Sequence, residues 1–223
     1  MQVRGNFIYL LLSLLAFLSF MALFTQYPQL GGWRLLSIAF LFSLIVAIWS
    51  LVKDRVWFKT GVVLASIAAV TVVVQFFNNN PWLIYLNLAT VFCFYLMTTW
   101  IAFLEMARPS AIDVNKIIGS ICVYLLVGIN WAFLYYFAEA MHPGSFNGLN
   151  VPDMELRLFE LTYYSYVTLS TLGYGDITPA QPIVQTLAVL EALFGQFYIA
   201  ILVAILVGTH ISSSKLFKPN NDK

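Results

Sequence analysis

Six long apolar runs dominate this chain and leave little room for a soluble fold. They cover residues 7–24, 35–52, 61–77, 82–104, 117–137 and 183–208. A helix needs about 17–25 apolar residues to cross the hydrocarbon core of a bilayer, and every run is that long. Five runs carry no charged residue, and the sixth carries only Glu191. We therefore predict an all-α membrane protein with six transmembrane helices.

Composition narrows the class of partner. Only 9% of the residues are charged, whereas a soluble domain has about 25%. The net charge of +1 gives no reason to expect nucleic acid, so we expect membrane lipids around the chain. Cys93 and Cys122 do not have the spacing of metal ligands, and we expect both to serve as small, buried apolar residues. The first run is long for a signal peptide and no small-residue cleavage site follows it, so we predict a retained helix.

The basic residues between the runs fall mainly on one side of the membrane. With the N-terminus in the cytoplasm, nine of the eleven basic residues are cytoplasmic, and only Arg34 and Arg157 lie outside. Cytoplasmic segments of membrane proteins carry such an excess of Lys and Arg. We expect a multi-pass protein of the plasma membrane, the inner membrane in a bacterium, with both termini in the cytoplasm.

The segment between the fifth and sixth runs holds the most informative motif. Residues 141–153 are rich in Gly, Pro and Asn, which is typical of an exposed loop. Residues 156–170 are amphiphilic and too short to span a bilayer, which predicts a re-entrant helix that enters from outside. The motif that follows is Thr171, Leu172, Gly173, Tyr174, Gly175 and Asp176.

This motif resembles the Thr-Val-Gly-Tyr-Gly signature of tetrameric potassium channels, with Leu172 in place of Val. The resemblance is strong over residues 117–208 and only architectural before them. It is to six-transmembrane channels of the prokaryotic type, with the selectivity filter between helices five and six. It implies a four-helix domain at residues 1–108, a pore domain at residues 109–223, and a homotetramer that conducts K⁺ passively. It implies no enzyme activity and no cofactor beyond K⁺ ions in the filter.

The physical demands of such a filter can be stated from the residues. A K⁺ ion must exchange its water shell for other oxygens. We expect these from the backbone carbonyls of Thr171, Leu172, Gly173 and Tyr174, with the Thr171 hydroxyl at the inner end. Carbonyls that point to one axis require unusual backbone angles, and Gly173 and Gly175 adopt positive φ at little cost.

Side chains behind the filter are expected to hold it open. The Tyr174 ring points away from the axis, where Tyr163, Tyr164 and Tyr166 are available to pack around it. In the family that the motif resembles, the acid at the position of Asp176 bonds to aromatic groups behind the filter. We predict Tyr164 as its partner here.

The sixth run is expected to line the cavity below the filter. Gln196 resembles the first cavity-lining position of the family, and helical spacing turns Ile199, Val203 and Val207 to the same side. Gly195 stands where the family often has a hinge glycine, and close helix packing is an equal alternative.

Glu191 is the one ionisable residue inside a run, and such residues are candidates for function. We expect it to bond to the pore helix or to a neighbouring subunit, and a purely structural hydrogen bond is also open. Many family members instead carry an acid late in the pore helix, where this chain has Val167. Gating that depends on that acid is therefore not expected here.

The first four runs occupy the place of a voltage sensor without its charges. A voltage sensor repeats Arg or Lys through its fourth helix, and residues 82–104 contain neither. We expect opening to be largely independent of voltage. Three other functions stay open: a weakly selective cation channel, a potassium transporter, and a non-conducting partner subunit.

Overall fold

The fold was analysed on a computed structural model. The structure describes residues 7–26, 43–47, 55–77, 81–107, 113–151 and 154–213. Within these ranges the regular structure is helical, apart from two strands of two residues each. The prediction of an all-α chain is confirmed for the described residues.

In the described ranges, six helices and two short strands follow one another, with a further helical segment at residues 43–47. They are α1 Phe7–Gln26, α2 Arg55–Phe77, α3 Pro81–Ala107, α4 Val114–Met141, β1 Phe146–Asn147, α5 Met154–Leu169, β2 Thr178–Pro179 and α6 Pro182–Ser213. Proline suits the first turn of α3 and α6 because its missing N–H has no partner there anyway. Asp113 caps α4, since its side chain accepts a 3.0 Å hydrogen bond from the backbone amide of Lys116.

Four of the described helices are long and apolar enough to cross a membrane: Trp57–Gln75, Trp82–Ala107, Val114–Met141 and Pro182–Ile205. Phe7–Leu23 in α1 is apolar but shorter. Most of the second predicted run, residues 35–52, lies outside the described residues. Six spans therefore stay a prediction, with four candidates in the structure.

Polar side chains join neighbouring helices. Asn87 Nδ2 on α3 donates to the Ala68 carbonyl at 3.1 Å and to Thr71 Oγ1 at 2.7 Å, both on α2. Asn130 Nδ2 on α4 donates to Thr99 Oγ1 on α3 at 2.7 Å. In an apolar surrounding such bonds satisfy groups that lipid cannot.

The share of each helix that is buried by the rest of the chain differs widely. Half of the α4 span is buried, because α1, α3 and α5 pack around it. Only 11% of the α6 span is buried. One chain by itself therefore leaves most of α6 exposed or only partly buried, and that helix has surface available to lipid or to other chains.

Candidate functional site

In the segment after α5, the backbone φ angle is positive at every second residue. Thr171, Gly173 and Gly175 have φ of 60°, 58° and 79°, while the residues between them do not have positive φ. In an extended strand successive carbonyls point to opposite sides. A change of hand at every second residue turns successive carbonyls toward the same side, which is the arrangement a row of cation ligands needs.

The first three backbone amides of this segment donate hydrogen bonds to carbonyls of α5. The Leu172 amide donates to the Val167 carbonyl at 2.9 Å, and the Gly173 amide donates to the same oxygen at 3.4 Å. The Thr171 amide donates to Thr168 O at 2.9 Å. These bonds satisfy carbonyls at the open end of the helix. With its amides turned to α5, the segment directs its own carbonyls elsewhere.

Thr171 has a left-handed backbone conformation that the sequence did not predict. It is the one non-glycine residue with positive φ in the described ranges. A β-branched residue in that region is strained and persists only where its surroundings enforce it. Its hydroxyl accepts a 3.2 Å hydrogen bond from Gln196 Nε2. The inner end of the segment is thereby tied to α6.

A tyrosine and an aspartate join the pore helix candidate α5 to the end of the motif. The Tyr163 hydroxyl donates to Asp176 Oδ2 at 2.7 Å. This bond holds the pKa of the Asp176 carboxyl below its ordinary value and raises the pKa of the Tyr163 hydroxyl. At neutral pH the aspartate is therefore ionised and the tyrosine protonated, which are the protonation states that this hydrogen bond requires.

The prediction that Tyr164 binds Asp176 is wrong. Tyr164 instead packs between Tyr135 and Phe146, with ring centroids 5.1 and 5.2 Å away. Consecutive residues of a helix point about 100° apart, so only one of two neighbouring tyrosines can face the motif. The Tyr174 side chain is 66% exposed in the single chain. It borders a cavity of about 400 Å³ that Tyr163 and Tyr166 also line.

The loop before α5 is fastened to the segment after the motif. β1 and β2 pair antiparallel, and the Ala180 amide donates to the Ser145 carbonyl at 2.8 Å. Ser145 and Phe146 are buried, although the sequence predicted an exposed loop here. The Glu139 carboxylate holds the loop by accepting from the Ser145 amide at 2.8 Å and from Arg157 Nη1 at 3.1 Å.

Three side chains anchor α5 to α4. Tyr166 Oη donates to the Leu125 carbonyl at 2.7 Å, and Ser165 Oγ lies 2.7 Å from the Gly128 carbonyl. From the other direction, Tyr124 Oη donates to the last carbonyl of α5, that of Leu169, at 3.1 Å. A helix too short to cross a bilayer is thus held along its length by protein hydrogen bonds.

Glu191 lies behind the motif at the junction of three helices. Its side chain is fully buried. Oε2 accepts from the Tyr135 hydroxyl on α4, and Oε1 lies 2.5 Å from Ser165 Oγ on α5. The predicted bond to the pore helix is present. The sequence did not predict Tyr135 and Ser165 as the partners of Glu191, because each lies in a largely apolar helix with no motif around it.

Gly195 is a point of close contact between α6 and α5. A Cβ built on it would stand 2.0 Å from the Leu169 carbonyl oxygen. Only a residue without a side chain permits this approach. Of the two readings of Gly195, close packing is the one for which the structure supplies a contact.

The predicted cavity face of α6 is exposed in the single chain, with Gln196 in contact with Thr171. Ile199 and Val203 are about half exposed, and Gln196 is exposed as well. The side chain of Val207 lies outside the described residues. Among the described residues no group of three His, Cys, Asp or Glu side chains could hold a metal ion.

Residues 121–209, 89 of the 223, match a family model described as ion channel. This match supports an ion channel. Together with the four long apolar helices it supports a multi-pass, all-α membrane protein, and it points to transport rather than to an enzymatic role. No curated protein matches the chain. The matched range contains the Thr171–Asp176 motif, Glu191 and the predicted cavity face.

Proposed function

We propose that this chain is one subunit of a potassium-selective channel that conducts K⁺ passively. Residues 109–223 form the pore domain, and residues 1–108 form a four-helix domain in front of it. The carbonyls of residues 171–174 and the Thr171 hydroxyl take the place of the water around the permeant ion. Non-helical backbone at membrane depth is tolerated where it lines such a path.

One observation carries the proposal: positive φ recurs at Thr171, Gly173 and Gly175. A loop that merely connected two helices would have no need of a strained threonine followed by two glycines with positive φ at alternate positions. A transporter with the same pore architecture is expected to carry several pore loops per chain, and this chain has one. Tyr174 argues against a weakly selective channel, because such relatives usually change this residue.

Assembly as a homotetramer follows from the number of filter strands. One chain supplies one strand, and a cage of carbonyls around an ion takes four. Cyclic symmetry provides this with identical subunits. The exposed face of α6 and the exposed Leu172 and Tyr174 side chains supply the surface that neighbours would cover.

The decisive experiment is ion flux from liposomes that contain the purified protein. We expect K⁺ and Rb⁺ to pass and Na⁺ and Li⁺ to be excluded. Equal flux of all four ions would identify a weakly selective channel instead. Flux that requires a counter-ion gradient would indicate a transporter, and no flux from an intact tetramer would indicate a partner subunit. Native mass spectrometry of the same sample reports the number of chains.

A further inference from the structure

A second cavity lies between α3, α4 and α6, away from the filter motif. Its volume is about 650 Å³, within the range of ~300–1,000 Å³ that small-molecule sites occupy. Aromatic and aliphatic side chains form most of its wall. They include Phe103, Met106, Phe197, Ile201 and Ile205.

The cavity extends over about half the thickness of a bilayer. On α6 its wall runs from Phe194 to Ile205, and eleven residues of helix rise about 16 Å. The hydrocarbon core is ~30 Å thick, so one leaflet is about 15 Å. A cavity of this length at the side of a membrane helix matches the acyl chain of one leaflet.

The polar groups in the wall already have protein partners. Ser120 Oγ donates to the Lys116 carbonyl at 3.0 Å, and Tyr198 Oη donates to the Ser120 carbonyl at 2.7 Å. The wall therefore offers hydrocarbon to an occupant. Of the described residues that line the cavity, Lys116 is the charged one. It stands in the first turn of α4, at the end of a span, where a lysine stem reaches toward the lipid headgroups.

We propose that this cavity binds an anionic phospholipid, with one acyl chain against α6 and the headgroup at Lys116. Basic residues at the membrane surface attract anionic lipids, each by about a factor of five in affinity. The site is separate from the ion path. Phe194, Ile201 and Ile205 lie about 140–180° around α6 from Gln196. The proposal rests on the placement of the chain in a membrane and is independent of potassium selectivity.

The headgroup contact is tested by native mass spectrometry of the purified assembly after exchange into phosphatidylglycerol or phosphatidylcholine. We expect phosphatidylglycerol to be retained in preference. Lys116→Gln should lower its retention about fivefold. Lys59→Gln is the matched control, because Lys59 is exposed on α2 and does not line the cavity. Equal retention of the two lipids, or equal effects of the two substitutions, would overturn the proposal.

The acyl-chain contact is tested by filling the cavity. Ala107→Trp places a ring in the wall and should remove retention of the bound lipid. Val63→Trp adds the same ring on the exposed side of α2 and should leave it unchanged. If Ala107→Trp fails to assemble, Ile201→Trp fills the cavity from α6. Full retention in an assembled filled variant would overturn the proposal. Because the readout is lipid mass, a chain that retains the lipid but does not select K⁺ contradicts only the proposed function.

Discussion

The Tyr163 hydroxyl stands 2.7 Å from Asp176 Oδ2 and donates to it. This one bond joins the middle of α5 to Asp176, the last residue of the Thr171–Asp176 motif. Residues 170–175, between the end of α5 and Asp176, form neither helix nor strand and depend on such attachments. In the proposed channel, a filter strand held at both ends would keep its carbonyls in register for one ion size.

Tyr163→Phe should reduce the preference for K⁺ over Na⁺, because it removes the donor and frees the outer end of the filter strand. Tyr164→Phe is the matched control, since its ring packs on Tyr135 and Phe146 rather than at the filter. The flux ratio of the two ions in liposomes measures the effect. A larger loss in Tyr164→Phe than in Tyr163→Phe would count against this role for the bond.

The same bond makes a prediction for pH. The pKa of Asp176 is lowered from its ordinary value of 3.8. The bond therefore stabilises the filter above that value and is lost as the pH falls through the lowered pKa of the folded state. We expect selectivity to stay constant between about pH 5 and 8 and to fall only in strong acid. Selectivity that titrates near neutral pH would point to another group.

Gly173→Ala should abolish or severely reduce K⁺ flux. The substituted residue would have to keep a φ of 58°, which costs about 1–2 kcal/mol in each subunit. Nothing lies within 4 Å of the added Cβ, so the cost is conformational. Gly144→Ala is the control, because Gly144 has φ of 87° and equally open surroundings in the outer loop. Equal flux in the two variants would argue against the filter assignment.

Glu191→Gln should preserve assembly, whereas Glu191→Leu should not. Ser165 Oγ lies within reach of both Glu191 Oε1 and the Gly128 carbonyl, and a hydroxyl has one proton to donate. An amide nitrogen in place of Oε1 can donate to Ser165 and leave its proton for Gly128. Leucine leaves the buried Tyr135 hydroxyl without its acceptor, at about 1–3 kcal/mol, while Ser165 still donates to the Gly128 carbonyl. Thermal unfolding of the purified variants would detect the difference, and equal melting of the two would contradict it.

Gly195→Ala should destabilise the contact between α5 and α6. Its Cβ would meet a backbone oxygen at 2.0 Å, and overpacking of this kind costs about 1–3 kcal/mol. Gly119→Ala is the comparison, because its Cβ meets mainly the movable end of Met106. Melting temperatures of the two assembled variants should differ, with Gly195→Ala the lower. A hinge role alone would leave stability intact and change only the open probability.

Voltage should have little influence on opening. Moving one charge through 100 mV is worth about 2.3 kcal/mol, and steep gating takes three to four such charges per subunit. α1 and α3 contain no basic residue, and those of α2 stand near its beginning. Single-channel recording in symmetric K⁺ should show a shallow dependence. An open probability that rises tenfold over about 25 mV would demand moving charges that these helices lack.

Much of this protein was determined by the sequence alone. Apolar length is a local property, so the runs at residues 61–77, 82–104, 117–137 and 183–208 predicted the four long helices of the structure. The amphiphilic stretch at residues 156–170 likewise predicted α5. The motif itself predicted positive φ at Gly173 and Gly175, because glycine adopts that conformation most readily.

Only the tertiary structure decided which side chains meet. The sequence analysis predicted Tyr164 as the partner of Asp176, whereas the rotation of α5 against α4 brings Tyr163 to it. The partners of Glu191 come from two other helices, 26 and 56 residues away along the chain. The strained Thr171 is enforced by its surroundings and opposes its own intrinsic preference. The local sequence determines which conformation a residue prefers. Contacts between distant segments depend on tertiary packing, which the local sequence does not specify.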